Sequence, residues 1–285
     1  MSTAPRIRLG LIGDNIAASR SPELHRIAGT LCGLDVSYEL LIPRALGTDF
    51  ETLLRSCGVG SFRGVNITYP YKEKAAGMVD ISDPLVRRVG AVNTVVFGDG
   101  DPAGHNTDHS GFIAAWRERF GDAPPGNVAL IGAGGVGRAI AFALLALGAS
   151  ELRLVDLDAA KAARLAADLR EASAGTAAAG WPNAATAARD ADGIVNATQL
   201  GMTGYPGSPV ARAVLGRQRW AFDAVYTPVE TRFGTDALAA GLDLLSGYEL
   251  YFHQGVQAFR IFTGTAPPDL ALLRQRLQMG DGETG

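Results

Sequence analysis

Cysteine is nearly absent from this chain: Cys32 and Cys57 are the only two in 285 residues. That rules out the disulfide framework of a small secreted scaffold and fits a reducing compartment. A basic excess is missing as well. With 26 lysines and arginines against 29 acids the net charge is −3, which gives no cationic field for nucleic acid. The four histidines, His25, His105, His109 and His253, show no ligand spacing with cysteines or acids. His105 and His109 stand four apart, but Asn106-Thr107-Asp108 between them reads as a loop or strand end, so no metal is expected. Long apolar runs are lacking too. The longest, Ala139 to Ala149, is too short for a membrane and reads as a buried helix. Met1-Ser-Thr-Ala-Pro-Arg leads straight into a strand pattern without the apolar core of a signal peptide. The expectation is a soluble, cytoplasmic protein, monomer or homodimer, that acts on a small molecule and not on nucleic acid or a membrane.

What the chain has is an ordinary globular balance, 47% apolar and 19% charged, and a length that suits two modest domains. The most informative stretch runs from Asn127 to Gly148. A short apolar β-type run ends in Gly132-x-Gly134-x-x-Gly137, and an apolar helical pattern follows at once. This is the strand, glycine turn and helix of a dinucleotide-binding βαβ unit. The first glycine permits the tight turn, the second lets a pyrophosphate approach the backbone, and the third lets the helix pack on its strand. The phosphates would lie at the helix N-terminus, among Gly134, Gly135 and Val136. The next strand, Glu151 to Asp156, ends in an acid, as a ribose-binding carboxylate should.

Before that unit, Arg6 to Gly13 reads as a first strand. A loop follows to Ser21-Pro22, with Ser21 as N-cap and Pro22 at the first helical position. Val36 to Ile42 is a second strand and Thr48 to Ser56 an amphipathic helix. Gly64 onward is a third strand, stopped by Pro70 before a helix from Glu73. Val89 to Phe97 is β-rich but interrupted by Asn93 and Thr94, and Gly98 to Gly104 is a hairpin-like turn. A helix from Ser110 to Arg119 leads to a Pro-Pro-Gly connector at 124 to 126, a natural boundary. Beyond Asp156 an alanine-rich helix runs to about Ala172, and 172 to 180 is low in complexity and reads as loose. Gly193 to Thr198 and Trp220 to Tyr226 are further buried strands, Gly241 to Ser246 a last short one, and Glu249 to Thr263 a long helix carrying Gln254 and Gln257.

Four polar clusters sit at predicted strand ends in the N-terminal half: Ser19/Ser21, Asn66/Thr68/Lys72, Asn93 and Asn106/Asp108. If those strands are parallel, all four face one sheet edge. Hydroxyls, amides, one lysine and one aspartate describe a pocket for a small polyol. Lys72 and Asp108 suit proton transfer at a reacting hydroxyl, although a surface salt bridge would leave the same trace.

Asn66-Ile-Thr-Tyr-Pro-Tyr-Lys72, Gly90-Ala-Val-Asn-Thr94 and Gly104-His-Asn-Thr-Asp108 resemble the signatures of the shikimate dehydrogenase family. So do Gly132-Ala-Gly-Gly135, Asn196-Ala-Thr-Gln-Leu-Gly-Met202, Asp223-Ala-Val-Tyr-Thr-Pro228 and the helix bearing Gln254. They occur in the family's order across nearly the whole chain. The resemblance implies a two-domain α/β enzyme that interconverts a ring hydroxyl and a ketone with a nicotinamide cofactor. Its expected divisions are a substrate-binding catalytic domain over 1–109, a Rossmann-type dinucleotide domain over 110–245, and C-terminal helices over 246–285 that return to the substrate domain. By the same resemblance Lys72 and Asp108 are the catalytic pair, and Ser19, Ser21 and Tyr226 hold a substrate carboxylate. Thr68, Asn93 and Gln254 bind ring hydroxyls or that carboxylate, while Asn66 and Thr94 brace loops. Thr198 and Met202 line the nicotinamide side, with Gly247 near its amide.

Two departures matter. The first loop, Gly13-Asp-Asn-Ile-Ala-Ala-Ser-Arg-Ser-Pro22, has Asn15 and Ala18 where biosynthetic members usually show proline and histidine. After the second nucleotide strand, NADP users typically carry Asn-Arg-Thr, whereas this chain has Asp156-Leu157-Asp158. An aspartate accepts from a ribose 2′-hydroxyl and repels a 2′-phosphate, so the expected cofactor is NAD rather than NADP. Together the departures are most similar to the NAD-dependent quinate/shikimate dehydrogenase branch. Shikimate and quinate stay open as substrates. A same-fold dehydrogenase of an amino-substituted ring acid and a non-catalytic nucleotide-binding regulator remain the alternatives.

Overall fold

The computed structural model describes residues 6–173 and 175–279, which divide into two compact units. One runs to Thr107 and resumes at Phe252; the other is Asp108–Tyr251.

The first unit follows the order β1 (Ile7–Ile12), α1 (Ser21–Leu31), β2 (Val36–Leu41), α2 (Phe50–Val59), β3 (Gly64–Ile67), α3 (Lys72–Ala76), α4 (Pro84–Val89), β4 (Thr94–Val96) and β5 (Ala103–His105). Its sheet has the order β2-β1-β3-β4-β5. β1 pairs in parallel with β2 and β3, but β4 runs antiparallel to both of its neighbours. The condition that these strands are all parallel therefore fails at β4, whose antiparallel pairing with β5 agrees with the hairpin-like turn read between them. The edge read from the polar clusters survives. Because β4 runs backwards its start, not its end, lies beside the end of β3, with Thr94 opposite Asn66 and His105 opposite Thr94.

Local signals explain most boundaries. Asp49 accepts a hydrogen bond from Thr52 N and so caps α2, whose Phe50, Leu53, Leu54 and Cys57 are buried at i, i+3, i+4 and i+7. They pack with Ile12, Val65, Ile67, Val92 and Val95 in one apolar cluster. Asp83 caps α4 in the same way, Pro84 starts it, and Gly90 ends it in the left-handed region at φ 65°. Ser21 is not the N-cap of α1; it is the first helical residue. Arg20 holds the N-cap position and no side chain caps the helix, so the cap reading falls one residue late; the Ser19 hydroxyl accepts from Ser21 N at 3.3 Å.

α5 (Thr107–Phe120) carries the chain into the second unit, starting three residues earlier than predicted and taking Asp108 into its first turn. There follow β6 (Asn127–Ile131), α6 (Gly135–Ala146), β7 (Glu151–Val155), α7 (Ala159–Ala172), β8 (Ala177–Gly180), α8 (Ala184–Ala188), β9 (Gly193–Asn196), β10 (Trp220–Asp223), α9 (Arg232–Ala239) and β11 (Asp243–Ser246). The sheet order is β11-β10-β9-β6-β7-β8, with every neighbouring pair parallel. The chain moves outward from β6 to β8, then returns to the other side of β6 at β9. That reversal makes the carboxyl ends of β6 and β9 the switch point where such sheets bind ligands. Residues 177–180, read as loose, form the edge strand β8 instead. Their small side chains carry no strand signal, and the ladder to β7 supplies the order. Gly193 stands opposite Trp220, and a Cβ there would lie 2.0 Å from the indole. The indole uses that space to reach Trp116, at 4.8 Å and edge-on.

α10 (Gly247–Thr263) brings the chain back to the first unit, and α11 (Leu270–Met279) ends the described residues. Arg63 Nε donates to Phe262 O at 3.0 Å, and Arg20 donates to Leu277 O near the end of α11. Among the described residues no helix is long and apolar enough to cross a membrane.

His25 of α1 is buried at 1% exposure and stacks on Tyr38 at 4.6 Å, with Phe259 and Phe262 beside it. Burial pushes its pKa down to about 3, partly offset by a hydrogen bond with Asn66. The unfolded chain takes up this proton below pH 6.5, whereas the folded chain resists until about 3. Stability from the neutral ring is thus present above 6.5 and lost as pH falls toward 3. Between pH 7 and 4.5 wild type should lose about 2–3 kcal/mol more stability than His25→Gln, read from urea midpoints at the two pH values. Equal losses would remove His25 from the account.

Candidate active site

In the first unit the predicted polar residues gather at the edge shared by the ends of β1, β3 and β5 and the start of β4. β1 delivers the first loop. A Cβ at Gly13 would lie 2.3 Å from the Thr68 methyl and 2.8 Å from Ile16 Cγ2, so glycine lets that loop pass over the end of β3 without displacing either side chain. Thr68 N donates to Ile12 O at 2.9 Å and Tyr71 N to Thr68 O at 2.9 Å, which curls the chain into α3 with Lys72 as its first residue. The Lys72 carbonyl accepts from Val92 N at 2.9 Å, tying the lysine's backbone to the segment before Asn93. Tyr71, stacked on Phe50, donates to Asp14 Oδ1 at 2.5 Å and so joins the first loop to the lysine loop. Ser19 and Ser21 sit two apart, with the Ser19 hydroxyl donating to Ser21 Oγ at 3.2 Å.

Asn93 is buried at 2% exposure. Its Oδ1 accepts from Thr107 N at 2.8 Å, and its Nδ2 donates to Thr107 Oγ1 at 2.9 Å and Gln254 Oε1 at 3.5 Å. The structure thus brings Asn93 and Gln254 together from sequence positions far apart. Asn66 is also buried and makes internal contacts: Tyr38 Oη donates to its Oδ1 at 2.8 Å, and its Nδ2 donates to Thr94 Oγ1 at 3.0 Å. Lys72 and Thr68 keep partial exposure, while Asp108 is buried.

In the second unit the glycine turn has the geometry its spacing requires. Gly132 takes φ 102° and a Cβ on it would meet Ala197 O at 2.7 Å. A Cβ on Gly137 would lie 1.9 Å from Gly132 O, so the helix could not sit this close with any other residue. Gly134 is the N-cap of α6 and makes no side-chain cap, and Gly135 and Val136 open the helix, whose first backbone N–H groups have no partner within it. Asp156 braces the turn: its Oδ2 accepts from Ala133 N at 2.7 Å and its Oδ1 from Asp158 N at 2.9 Å. Each carboxylate oxygen has a second lone pair, which leaves acceptor capacity for a ribose hydroxyl. Leu157 is fully exposed, and Asp158 caps α7 by accepting from Ala160 N at 2.9 Å.

The end of β9 carries a second polar cluster. Asn196 Oδ1 accepts from both the backbone and the hydroxyl of Thr198, at 3.1 and 2.7 Å, and its Nδ2 donates to Asp223 Oδ1 at 2.9 Å. Thr231 also donates to Asp223, at 2.5 Å. Burial pushes the Asp223 carboxyl up to about 6, with the donors Thr231, Val225 N and Asn196 pulling the other way. Met202 follows in the loop so fixed, its N–H donating to Gln199 O at 3.0 Å. A Cβ on Gly247 would meet the carbonyls of Asp223, Ala224 and Val225 at 2.6 to 2.7 Å. Tyr226 stacks on Tyr251 at 4.8 Å.

Residues 11–95 match the model of the shikimate dehydrogenase substrate binding domain. The chain is 41% identical over 270 residues to the quinate/shikimate dehydrogenase (NAD(+)) of Corynebacterium efficiens, covering 92% of this chain and 94% of that one. The chain belongs to the shikimate and quinate dehydrogenase family. These are nicotinamide-dependent oxidoreductases with a two-domain α/β fold. The family divides over its cofactor. A shikimate dehydrogenase (NADP(+)) of Streptomyces avermitilis is also 41% identical, with 93% of each chain covered. Among solved structures, quinate dehydrogenase from Corynebacterium glutamicum in complex with NAD superposes with a TM-score of 0.85 at 37% identity, covering 96% of this chain and all of that one.

Sequence reasoning gave Asn196 and Asp223 no role beyond their motifs, and it passed over Tyr38, Thr107 and Thr231. Short polar residues flanking buried strands were the available signal, but their partners lie on other strands and spacing does not reveal them. For this family member Gly137→Ala should raise the nucleotide Kd more than tenfold while leaving the substrate KM within about twofold, as titration calorimetry and initial rates would read. An unchanged nucleotide Kd would sink the close-packing role.

Proposed function

We propose that this enzyme interconverts shikimate and 3-dehydroshikimate, or quinate and 3-dehydroquinate, with NAD in preference to NADP. The observation that carries the cofactor half is the segment Asp156-Leu157-Asp158. Asp156 accepts hydrogen bonds at the glycine turn, Leu157 offers an exposed alkyl group where NADP users place a guanidinium, and Asp158 adds a second exposed carboxylate. A 2′-phosphate carrying close to two negative charges would meet two carboxylates there. Nearby arginines already face acids: Arg164 lies 3.9 Å from Asp158 and Arg138 donates to Asp168 at 2.8 Å.

When bound, the nicotinamide ring accepts or returns the hydride. The chain must handle the proton that the hydroxyl loses as its carbon becomes a carbonyl. We assign that proton to Lys72 Nζ, with the Asp108 carboxylate orienting the amine and balancing its charge. In the reverse direction the same ammonium protonates the forming alkoxide. Ser19, Ser21 and Tyr226 are assigned to the carboxylate, and Thr68, Asn93 and Gln254 to ring hydroxyls or that carboxylate. On the nucleotide, Thr198, Met202 and Gly247 are assigned to the nicotinamide end. The same reading takes the enzyme as cytoplasmic, a monomer or homodimer.

Initial rates with shikimate and quinate, each with NAD and NADP, test the reading. NAD should lead in kcat/KM by on the order of tenfold or more, the effect of about 1.4 kcal/mol of repulsion. A clear NADP preference refutes the cofactor assignment, and no turnover of either acid refutes the substrate. Lys72→Ala should lower kcat by roughly 10²–10⁴ with KM changed only a few-fold. Retained turnover would end the catalytic role of Lys72.

A further inference from the structure

The buried contacts around Asn66 form one hydrogen-bond chain with a fixed direction. Tyr38 Oη donates to Asn66 Oδ1 at 2.8 Å. The other end of that amide, Nδ2, donates to the backbone carbonyl of Asn93 at 3.2 Å and to Thr94 Oγ1 at 3.0 Å. Having accepted there, the single hydroxyl proton of Thr94 points onward to Asn93 Oδ1 at 3.0 Å. Asn93 Oδ1 also accepts from Thr107 N at 2.8 Å, so its Nδ2 faces Thr107 Oγ1 and Gln254 Oε1. Thr107 Oγ1 lies 3.3 Å from Gln254 Oε1 and equally far from Asn93 Oδ1, two acceptors for its one proton. Backbone groups of fixed polarity anchor the chain at two points, the Asn93 carbonyl and the Thr107 N–H, so neither asparagine amide can turn over without opposing like atoms. Tyr38, Asn66, Asn93, Thr94 and Thr107 are all buried, so an unmade bond here carries its full desolvation cost.

We propose that Tyr38 is a positioning residue for substrate binding, acting through a one-way relay from Tyr38 through Asn66, Thr94 and Asn93 to Gln254. The relay turns the carbonyl of Gln254 inward and makes Nε2 the donor end of that side chain, suited to the acceptor oxygens of a polyhydroxy ring acid. His25 stacks on the Tyr38 ring and holds the head of the relay in place without lending it a charge at neutral pH. This rests on the assignment of Asn93 and Gln254 to the substrate.

Tyr38→Phe keeps the ring and removes the donor. It should raise the KM for shikimate or quinate by about 5- to 30-fold, with kcat within about threefold and the nucleotide KM within about twofold. Thr94→Val breaks the same relay one link on and should do the same, whereas Thr94→Ser keeps the hydroxyl and should stay near wild type. A relay broken once cannot be broken again, so Tyr38→Phe combined with Thr94→Val should add less than about twofold to either single effect. If Tyr38→Phe proves unstable, the Val and Ser variants at Thr94 carry the test alone. The inference is overturned if the substrate KM stays within twofold in Tyr38→Phe and Thr94→Val, if the two effects multiply, or if the nucleotide KM rises equally. Gln254→Ala and Asn93→Ala keep the underlying assignment separate. If neither raises the substrate KM, the assignment of the site fails; if they do and Tyr38→Phe does not, only the relay fails.

Discussion

Two buried asparagines hold together the edge of the first unit's sheet where β3 ends and β4 begins. Asn66 is the next-to-last residue of β3 and Asn93 precedes β4, and their amides exchange hydrogen bonds with each other's surroundings. In a sheet whose β3 and β4 run in opposite directions, that edge is where two strand termini, a helix start and a loop converge. Backbone groups left over from the ladder need partners there, and an asparagine offers both a donor and an acceptor on a short arm. Asn93 satisfies Thr107 N, and its own main chain joins Ile67 N to His105 O. The proposed substrate contacts at Thr68, Lys72, Asn93 and Gln254 all lie within a residue or two of something these amides fix.

The second unit solves a similar problem with glycine and one aspartate. Close approach of α6 to β6 is possible only because Gly132 and Gly137 have no Cβ, and closeness alone would leave the turn without a side chain to stiffen it. Asp156 supplies that stiffness from the next strand by accepting from Ala133 N. Its assigned role toward a ribose and its observed role in the turn use different lone pairs of one carboxylate. The same economy appears at β9, where Asn196 and Asp223 order the loop that carries Thr198.

How much of this could be read from the sequence varied with the range of the interaction. Features set within a few residues were legible: the glycine turn with its strand and helix, and the i, i+3, i+4, i+7 face of α2; the local signals bounding α4, Asp83-Pro84 and Gly90, were passed over, and Val89 and Gly90 were taken into a β-rich run. Features set by pairing were not legible. The hairpin-like turn over residues 98–104 signals the antiparallel return from β4 to β5, but nothing local shows that β4 also runs against β3, so the parallel condition on which the shared edge was read fails there although the polar residues do share that edge. The alanines and glycine of β8 have no pattern of their own and become a strand only against β7. Ser21 has the chemistry of a cap, yet it lies inside α1 and the cap position falls to Arg20, whose side chain makes no capping hydrogen bond. Tyr38 looked like an ordinary strand aromatic because its partner, Asn66, lies 28 residues away.

The cofactor segment shows why such preferences resist single substitutions. Asp158 is proposed to repel a 2′-phosphate, yet it also caps α7 by accepting from Ala160 N. Losing an N-cap acceptor typically costs about 1 kcal/mol of helix stability, comparable with the discrimination its charge is asked to supply. A change to alanine would relieve the repulsion and weaken the helix together. Serine or threonine would keep the cap without the charge, and Asn-Arg-Thr, the pattern of NADP users, puts threonine at this position. The capping requirement therefore narrows the residues available here, and among those that satisfy it only aspartate also carries the negative charge proposed to favour NAD.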